Sequence, residues 1–261
     1  MKAVRVKQLV LGEGAPAVCV PLMAADEAEL EEALPVLERS PFDLLEWRAD
    51  FWRTGFLMPD GKIDTALLKR LTDRIRTCLG ERPLLFTFRT SREGGNSDLP
   101  YDAWKTLLYQ AAVTGAELVD MELKTAGEEA LAVTDCLRSA GAAVIASAHD
   151  FAKTPSADEM VTLLTKMQKC GADLSKLAVM PRSDKDVLNV LDVCIRMKHG
   201  LADRPYIIIS MGQAGMLARS GCAFTGSALT FASALGASAP GQIPADLMRQ
   251  VLSQAGQRMD I

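Results

Sequence analysis

From about residue 17 onward, short apolar runs rich in strand-forming residues alternate with helical patterns, and eight such runs can be counted. This alternation marks parallel βα units, because two parallel strands need a crossover and the crossover is usually a helix. The strand candidates are Ala17 to Leu22, Asp43 to Arg48, Leu84 to Arg89, Leu118 to Glu122, Ala143 to Ser147, Leu177 to Met180, Tyr206 to Ser210 and Ala223 to Gly226. Eight units in roughly 240 residues, with right-handed crossovers, predict an α/β chain folded as a single (β/α)8 TIM barrel. An open doubly wound sheet is the other arrangement the pattern allows.

The helices between these runs carry their own punctuation. Thr154 offers a cap, Pro155 suits a first turn, Met160, Leu163, Leu164 and Met167 form an apolar stripe, and Gly171 ends it. Ser183 and Asp186 have capping-box spacing before Val187, Leu191, Cys194 and Ile195, with Gly200 as the stop. Trp104, Leu107, Leu108, Ala111 and Ala112 repeat at helical spacing before Gly115. Pro35 falls inside the first helix, which is expected to kink or end there. Ahead of the first unit, Val4 to Val6 and Leu9 to Leu11 can pair as a hairpin covering one end of the barrel. No interdomain linker interrupts residues 1–261, which are expected to form one catalytic domain, with a hairpin in 1–16 and a lid loop in 232–244.

The 261 residues are 49% hydrophobic and 24% charged, the balance of a globular chain with a sizeable core. Net charge is −4 and no Lys/Arg run makes a footprint for nucleic acid. The opening MKAVRVKQLVLGEG breaks its apolar residues with Lys7 and Glu13, unlike a signal peptide, and no stretch reaches the roughly 20 apolar residues of a membrane span. A cytoplasmic protein with no membrane partner is expected. Six cysteines contain no CxxC pair, and only two histidines accompany them, which makes a zinc site hard to assemble; the cysteines read as reduced core residues.

In such a barrel the chemistry lies at the carboxyl ends of the strands. Polar residues cluster there: Glu46-Trp47-Arg48, Phe88-Arg89 with Glu93, Ser147-Ala148-His149-Asp150, Gly212-Gln213 and Gly226-Ser227. Taken one at a time, a strand-end arginine or glutamate is more often a solvated rim charge. Lys176 is the most informative residue, because the run Leu174 to Met180 is otherwise apolar apart from Ser175. It either snorkels from the start of its strand or stands inside the barrel, where an amine loses hydration and the neutral, nucleophilic form is favoured. Its early position in the proposed strand puts it away from the catalytic mouth, which conflicts with a catalytic role. His149 is a base candidate at a strand end, whereas His199, in a last helical turn, suits capping.

Read together, LVLGEGAP, DLLEWRAD, RPLLFTFRTSREGG, LVDMEL, SAHDFAKTP, KMQKCGADLSKLAVMP, RPYIIISMG and ASAPGQIPADL resemble the type I 3-dehydroquinate dehydratases in order and spacing across most of the chain. The resemblance implies a lyase of the class I aldolase-like superfamily that converts 3-dehydroquinate to 3-dehydroshikimate and water through a Schiff base, serving aromatic amino acid biosynthesis in the shikimate pathway. It implies Lys176 as the imine-forming lysine, His149 as acid and base, and Glu93 as the residue orienting that histidine. It also implies substrate contacts from Glu46, Arg48 and Arg89, a carboxylate pair from Arg219, and lid contacts from Ser238 and Gln242. A homodimer without metal or other cofactor is implied as well. Two departures stand out: Ala148 replaces a frequent Asn, and Met211-Gly212-Gln213 replaces a more usual Met-Ser-Lys, which puts rim contacts and binding strength in question. Two other readings remain open: an imine-forming class I aldolase holding phosphate near Gly212, Gly215 and Gly226, and a barrel that senses a ligand without turnover.

Overall fold

The computed structural model describes residues 1–235 and 242–255. Eight parallel strands form one ladder: β3 (Ala17–Leu22), β4 (Leu44–Arg48), β5 (Leu84–Thr87), β6 (Leu118–Glu122), β7 (Ala143–Asp150), β8 (Leu174–Val179), β9 (Tyr206–Ser210) and β10 (Leu229–Phe231). The order is β10-β3-β4-β5-β6-β7-β8-β9, so chain order is spatial order until the last strand returns to the first. At the remaining seam the Ala228 amide donates to the Tyr206 carbonyl at 2.8 Å, bringing the approach to β10 beside β9. The product is a (β/α)8 barrel.

The helices are α1 (Glu27–Arg39), α2 (Thr65–Leu79), α3 (Tyr101–Val113), α4 (Leu123–Ala126), α5 (Ala130–Ser139), α6 (Ala157–Lys169), α7 (Asp184–Arg196), α8 (Met216–Ser220), α9 (Cys222–Thr225) and α10 (Ala245–Ala255). Their apolar stripes pack on the outward-facing strand residues Val18, Leu45, Trp47, Phe86, Val119, Val144, Leu177 and Ile208 in one large core. Alternate residues face inward, as a period of two requires. Leu44, Leu85, Leu118, Ile145, Leu174, Ile207 and Leu229 make an apolar floor. β1 (Val4–Val6) and β2 (Leu9–Leu11) pair antiparallel as the expected hairpin, and Val6 and Leu11 are buried against that floor. The barrel is therefore stoppered at the amino ends of its strands.

Several expectations need correction. Residues 223–226 are not the eighth strand: Cys222–Thr225 is a helical turn capped by Gly226 in the left-handed region, and β10 begins at Leu229. Gly226 therefore lies near the floor, beside the Tyr206 hydroxyl, and cannot join Gly212 at the other end of β9 in one phosphate site. Thr154 does not cap α6; Ser156 accepts from the Glu159 amide and receives the reciprocal Glu159 bond, a full capping box. α1 neither stops nor breaks at Pro35, because Pro35 sits on the exposed face, where water can serve the carbonyl that lost its N–H partner. Of the six cysteines, all free, Cys136 is exposed and Cys78 only half-buried, so those two are not core residues. The Ser183–Asp186 capping box opens α7 as expected. Beyond α7, His199 stands exposed in the π-helical turn Met197–Leu201. Among the described residues no helix is long and apolar enough to cross a membrane.

Candidate active site

One step above the apolar floor, the inward positions change character. Glu46 on β4, Thr87 on β5, Asp120 on β6, Ser147 on β7 and Lys176 on β8 are all buried at that level. A further step toward the carboxyl ends come Arg48, Arg89, Glu122 and His149. The same two-residue period that builds the barrel thus delivers two polar rings over an oily base.

This placement resolves the difficulty with Lys176. β8 starts at Leu174, three residues before the expected start at Leu177, so Lys176 is its third residue and pairs in register with Ser147. The next inward residue on β8 is Ala178, too small to cover it. Lys176, 3% exposed, forms part of the wall of a cleft at the carboxyl ends of the strands. Its Nζ donates to Asp120 Oδ2 at 3.1 Å and Glu46 Oε1 at 3.4 Å, and lies 4.8 Å from the centre of the Phe231 ring.

Glu46, Arg48, Arg89, Glu93, His149, Arg219 and Gln242 line the same cleft, so the structure gathers every described candidate around Lys176. Ser238, and with it the centre of the expected lid, lies outside the described residues. Four participants escaped the sequence reading. Asp120 and Glu122 alternate on β6 inside LVDMEL, Thr87 alternates with Arg89, and Asp50 follows β4. The signal was there for the first three: a polar residue every second position in an otherwise apolar strand places polar groups inside a barrel.

The histidine is held by a tight turn. After β5 the chain reverses through the 3-10 turn Ser91–Glu93, and the Gly95 amide bonds back to the Thr90 carbonyl at 2.8 Å. A Cβ on Gly95 would sit 1.8 Å from the Arg89 carbonyl oxygen, so only glycine fits. Glu122 secures this turn from β6, accepting from the Thr90 amide at 2.8 Å and its hydroxyl at 2.7 Å. Glu93 is thereby set beside β7, where its Oε2 accepts the His149 amide at 3.0 Å and meets the ring Nδ1 at 2.9 Å. An oxygen accepting that backbone N–H takes the Nδ1 proton as a second donor, which leaves Nε2 with the lone pair.

Charge is distributed unevenly. Burial, then the Arg89 guanidinium and Lys176, push the His149 pKa well below its ordinary value, so the imidazole is neutral. Burial raises the Glu93 carboxyl to about 7 against the pull of Arg89. Its buried Oε1 has no hydrogen-bond partner, so a proton can settle there while Oε2 keeps both bonds. Burial also disfavours the Asp120 carboxylate, but Arg89 and Lys176 outweigh it and hold Asp120 well below the usual carboxylate range. Arg89 links the rings, donating to Asp120 at 2.8 Å, Ser147 at 3.0 Å and Glu122 at 3.1 Å. Arg48 is clamped in a bidentate pair with Asp50, both bonds 2.7 Å. On α8, Arg219 is buried, and burial brings its guanidinium down to about 10. The arrangement can present an amine nucleophile, a neutral imidazole base and several cations to an anionic, polyhydroxylated ligand. Among the described residues no group of three or more His, Cys, Asp or Glu side chains is arranged to hold a metal ion.

Comparison with known proteins adds a consistent picture. The family model described as type I 3-dehydroquinase matches residues 18–259. A 3-dehydroquinate dehydratase from Syntrophotalea carbinolica is 42% identical over 254 residues, 97% of this chain and 98% of that one. One from Bacillus velezensis is 39% identical over 261 residues, covering 99% of this chain and all of its own length. Among solved structures, a type I 3-dehydroquinate dehydratase from Clostridium difficile, with covalently modified comenic acid, superposes with a TM-score of 0.90. It is 35% identical, and the match covers 99% of each chain.

Proposed function

The chain belongs to the type I 3-dehydroquinase family, and from that premise we propose that it dehydrates 3-dehydroquinate to 3-dehydroshikimate through an imine on Lys176. The observation that carries the reading is the single buried lysine in the cleft wall, with a neutral histidine in the same wall and cations around it.

Lys176 first passes on one proton and its neutral amine adds to the C3 ketone; a proton returns to the carbinolamine hydroxyl, which leaves as water, and the resulting protonated imine is an electron sink that acidifies the neighbouring C2 proton. His149 removes that proton through Nε2, the nitrogen not engaged by Glu93. The same imidazole, now protonated, gives the proton to the departing C1 hydroxyl, which leaves as water. A second water hydrolyses the imine, restoring the free amine, so one molecule of water is released per turnover. Arg219 pairs with the substrate carboxylate, while Glu46, Arg48 and Arg89 face the hydroxyls and balance charge. Gln242, in the cleft wall, contacts the bound ring. Glu46 is available for a hydroxyl because its Oε1 is already shared by Thr87 and Lys176 and its orientation is thereby set.

The same reading includes work in the cytoplasm as a homodimer, within the shikimate pathway toward aromatic amino acids. No metal or nucleotide enters any step. An aldolase acting on phosphorylated substrates is disfavoured, since Gly226 lies at the far end of the barrel from Gly212. Retention of Lys176, His149, Glu93 and Arg219 in one cleft also speaks for turnover over ligand sensing.

The test is borohydride reduction during turnover of 3-dehydroquinate, followed by peptide mass mapping. A ligand-derived adduct on Lys176 is expected; product formation without any adduct would refute the imine. A second expectation concerns pH. A base whose pKa is depressed stays neutral, and therefore active, as pH falls through 6.5. Protonation of Glu93 on Oε1 leaves the Oε2 bonds to His149 in place. The acid limb of kcat should thus lie below pH 6.5, and a midpoint at or above that value in a profile from pH 5 to 8 would contradict it.

A further inference from the structure

The proposed reaction asks that Lys176 be neutral and also that its lone pair face the ketone, and a side chain with four rotatable bonds does not meet the second demand unaided. Two buried carboxylates surround Nζ, and they are not equivalent. Glu46 lines the cleft and can meet substrate. Asp120 does not line the cleft; it is 1% exposed and can touch a ligand only through its neighbours.

We propose that Asp120 is a positioning residue that orients the attacking lone pair of Lys176. A neutral amine has two N–H bonds and one lone pair in tetrahedral array. With one N–H donated to Asp120 Oδ2 and the other to Glu46 Oε1, the lone pair takes a remaining direction, away from both carboxylates. Those carboxylates come from β6, two strands from β8, and from β4, on the opposite side of the barrel, and the open side of Nζ is the cleft.

Asp120 is itself built to stay still. Its Oδ2 also receives Arg89 at 2.8 Å, and its Oδ1 receives the Ser147 hydroxyl at 2.5 Å. Ser147 is fully buried and sits in register with Lys176 on the adjacent strand. Both carboxylate oxygens are therefore pinned before the lysine binds to one of them. This role rests on the imine reading, and deepens it by adding a residue that never contacts the substrate.

The experiment is rapid-quench trapping with borohydride and 3-dehydroquinate, with adduct read by intact mass, on parent, Asp120→Asn and Ser147→Ala. In Asp120→Asn, adduct should form about 100-fold more slowly, the cost of a nucleophile displaced by roughly an ångström. Its kcat should fall in parallel while KM changes less than about threefold, since ground-state binding is untouched. Adduct formation at the parent rate, or a raised KM with unchanged kcat, overturns the role. Loss of the Asp120 charge leaves Arg89 short of a partner, so folding of that variant is checked by its melting curve. If it does not fold, Ser147→Ala decides: it keeps the charge, releases Oδ1, and should slow adduct formation about tenfold, the worth of one hydrogen bond. Trapping at the parent rate in a folded Ser147→Ala would then count against the role. Failure of the parent to give any adduct would instead bring down the imine reading itself.

Discussion

Lys176→Ala is expected to lose turnover by a factor on the order of 10⁶, the scale seen when a nucleophile that forms a covalent intermediate is removed. Binding should survive, because the other cleft residues do not depend on the lysine for their positions. Asp120 keeps Arg89 and Ser147, and Glu46 keeps the Thr87 hydroxyl at 3.0 Å. Stripping one member from a buried ion pair typically costs roughly 3–5 kcal/mol, and these remaining partners should hold the loss below that range. Calorimetric titration with substrate, steady-state turnover and a melting curve test the three parts. Turnover within tenfold of the parent would end the assignment of Lys176 as the nucleophile, whatever the binding result.

His149→Ala should separate the two halves of the reaction. The amine can still condense with the ketone, but nothing takes the C2 proton or returns it to the leaving hydroxyl, so kcat should fall by about 10²–10⁴. The imine should then accumulate, and reduction should trap an adduct with the mass of undehydrated substrate. Normal dehydration by this variant would exclude His149 as acid and base. Absence of the adduct, with the lysine intact, would mean that the histidine is needed already for condensation. Because Glu93 holds His149 through both ring and backbone, truncating the imidazole removes one bond and leaves the β7 anchor in place.

Much of this architecture could be read from residue order alone, and the failures have physical causes. Strands β3 to β7 and β9 were visible because each is an apolar run of strand-forming residues between helical patterns. The last strand was not, since Leu229–Phe231 has only three residues and no period can be established over so short a span. The preceding Ala223–Gly226 mimics a strand by apolar composition, yet glycine in the left-handed region ends a helical turn there. β8 was begun too late because Ser175 and Lys176 break the apolar run, although both are buried in the barrel wall. That same error made the depth of Lys176 look like an objection to its role. Asp120 and Glu122 were passed over for the opposite reason: charge on a buried strand needs partners, and Arg89, which supplies them, is some 30 residues away in the chain. The capping serine of α6 lost to Thr154 because a proline is common in a first helical turn, whereas Pro155 here precedes the cap.

The hairpin that stoppers the floor of the barrel has a consequence for traffic. With Val6 and Leu11 packed into the apolar base, the cleft that reaches Lys176 among the described residues is a doorway at the opposite end, for substrate, product and the water exchanged at each turn. Product must clear that doorway before the next substrate can enter, so product is expected to inhibit by simple competition. Any compound lodged among Arg48, Phe151 and Gln242 at the threshold would bar entry without ever touching the lysine below.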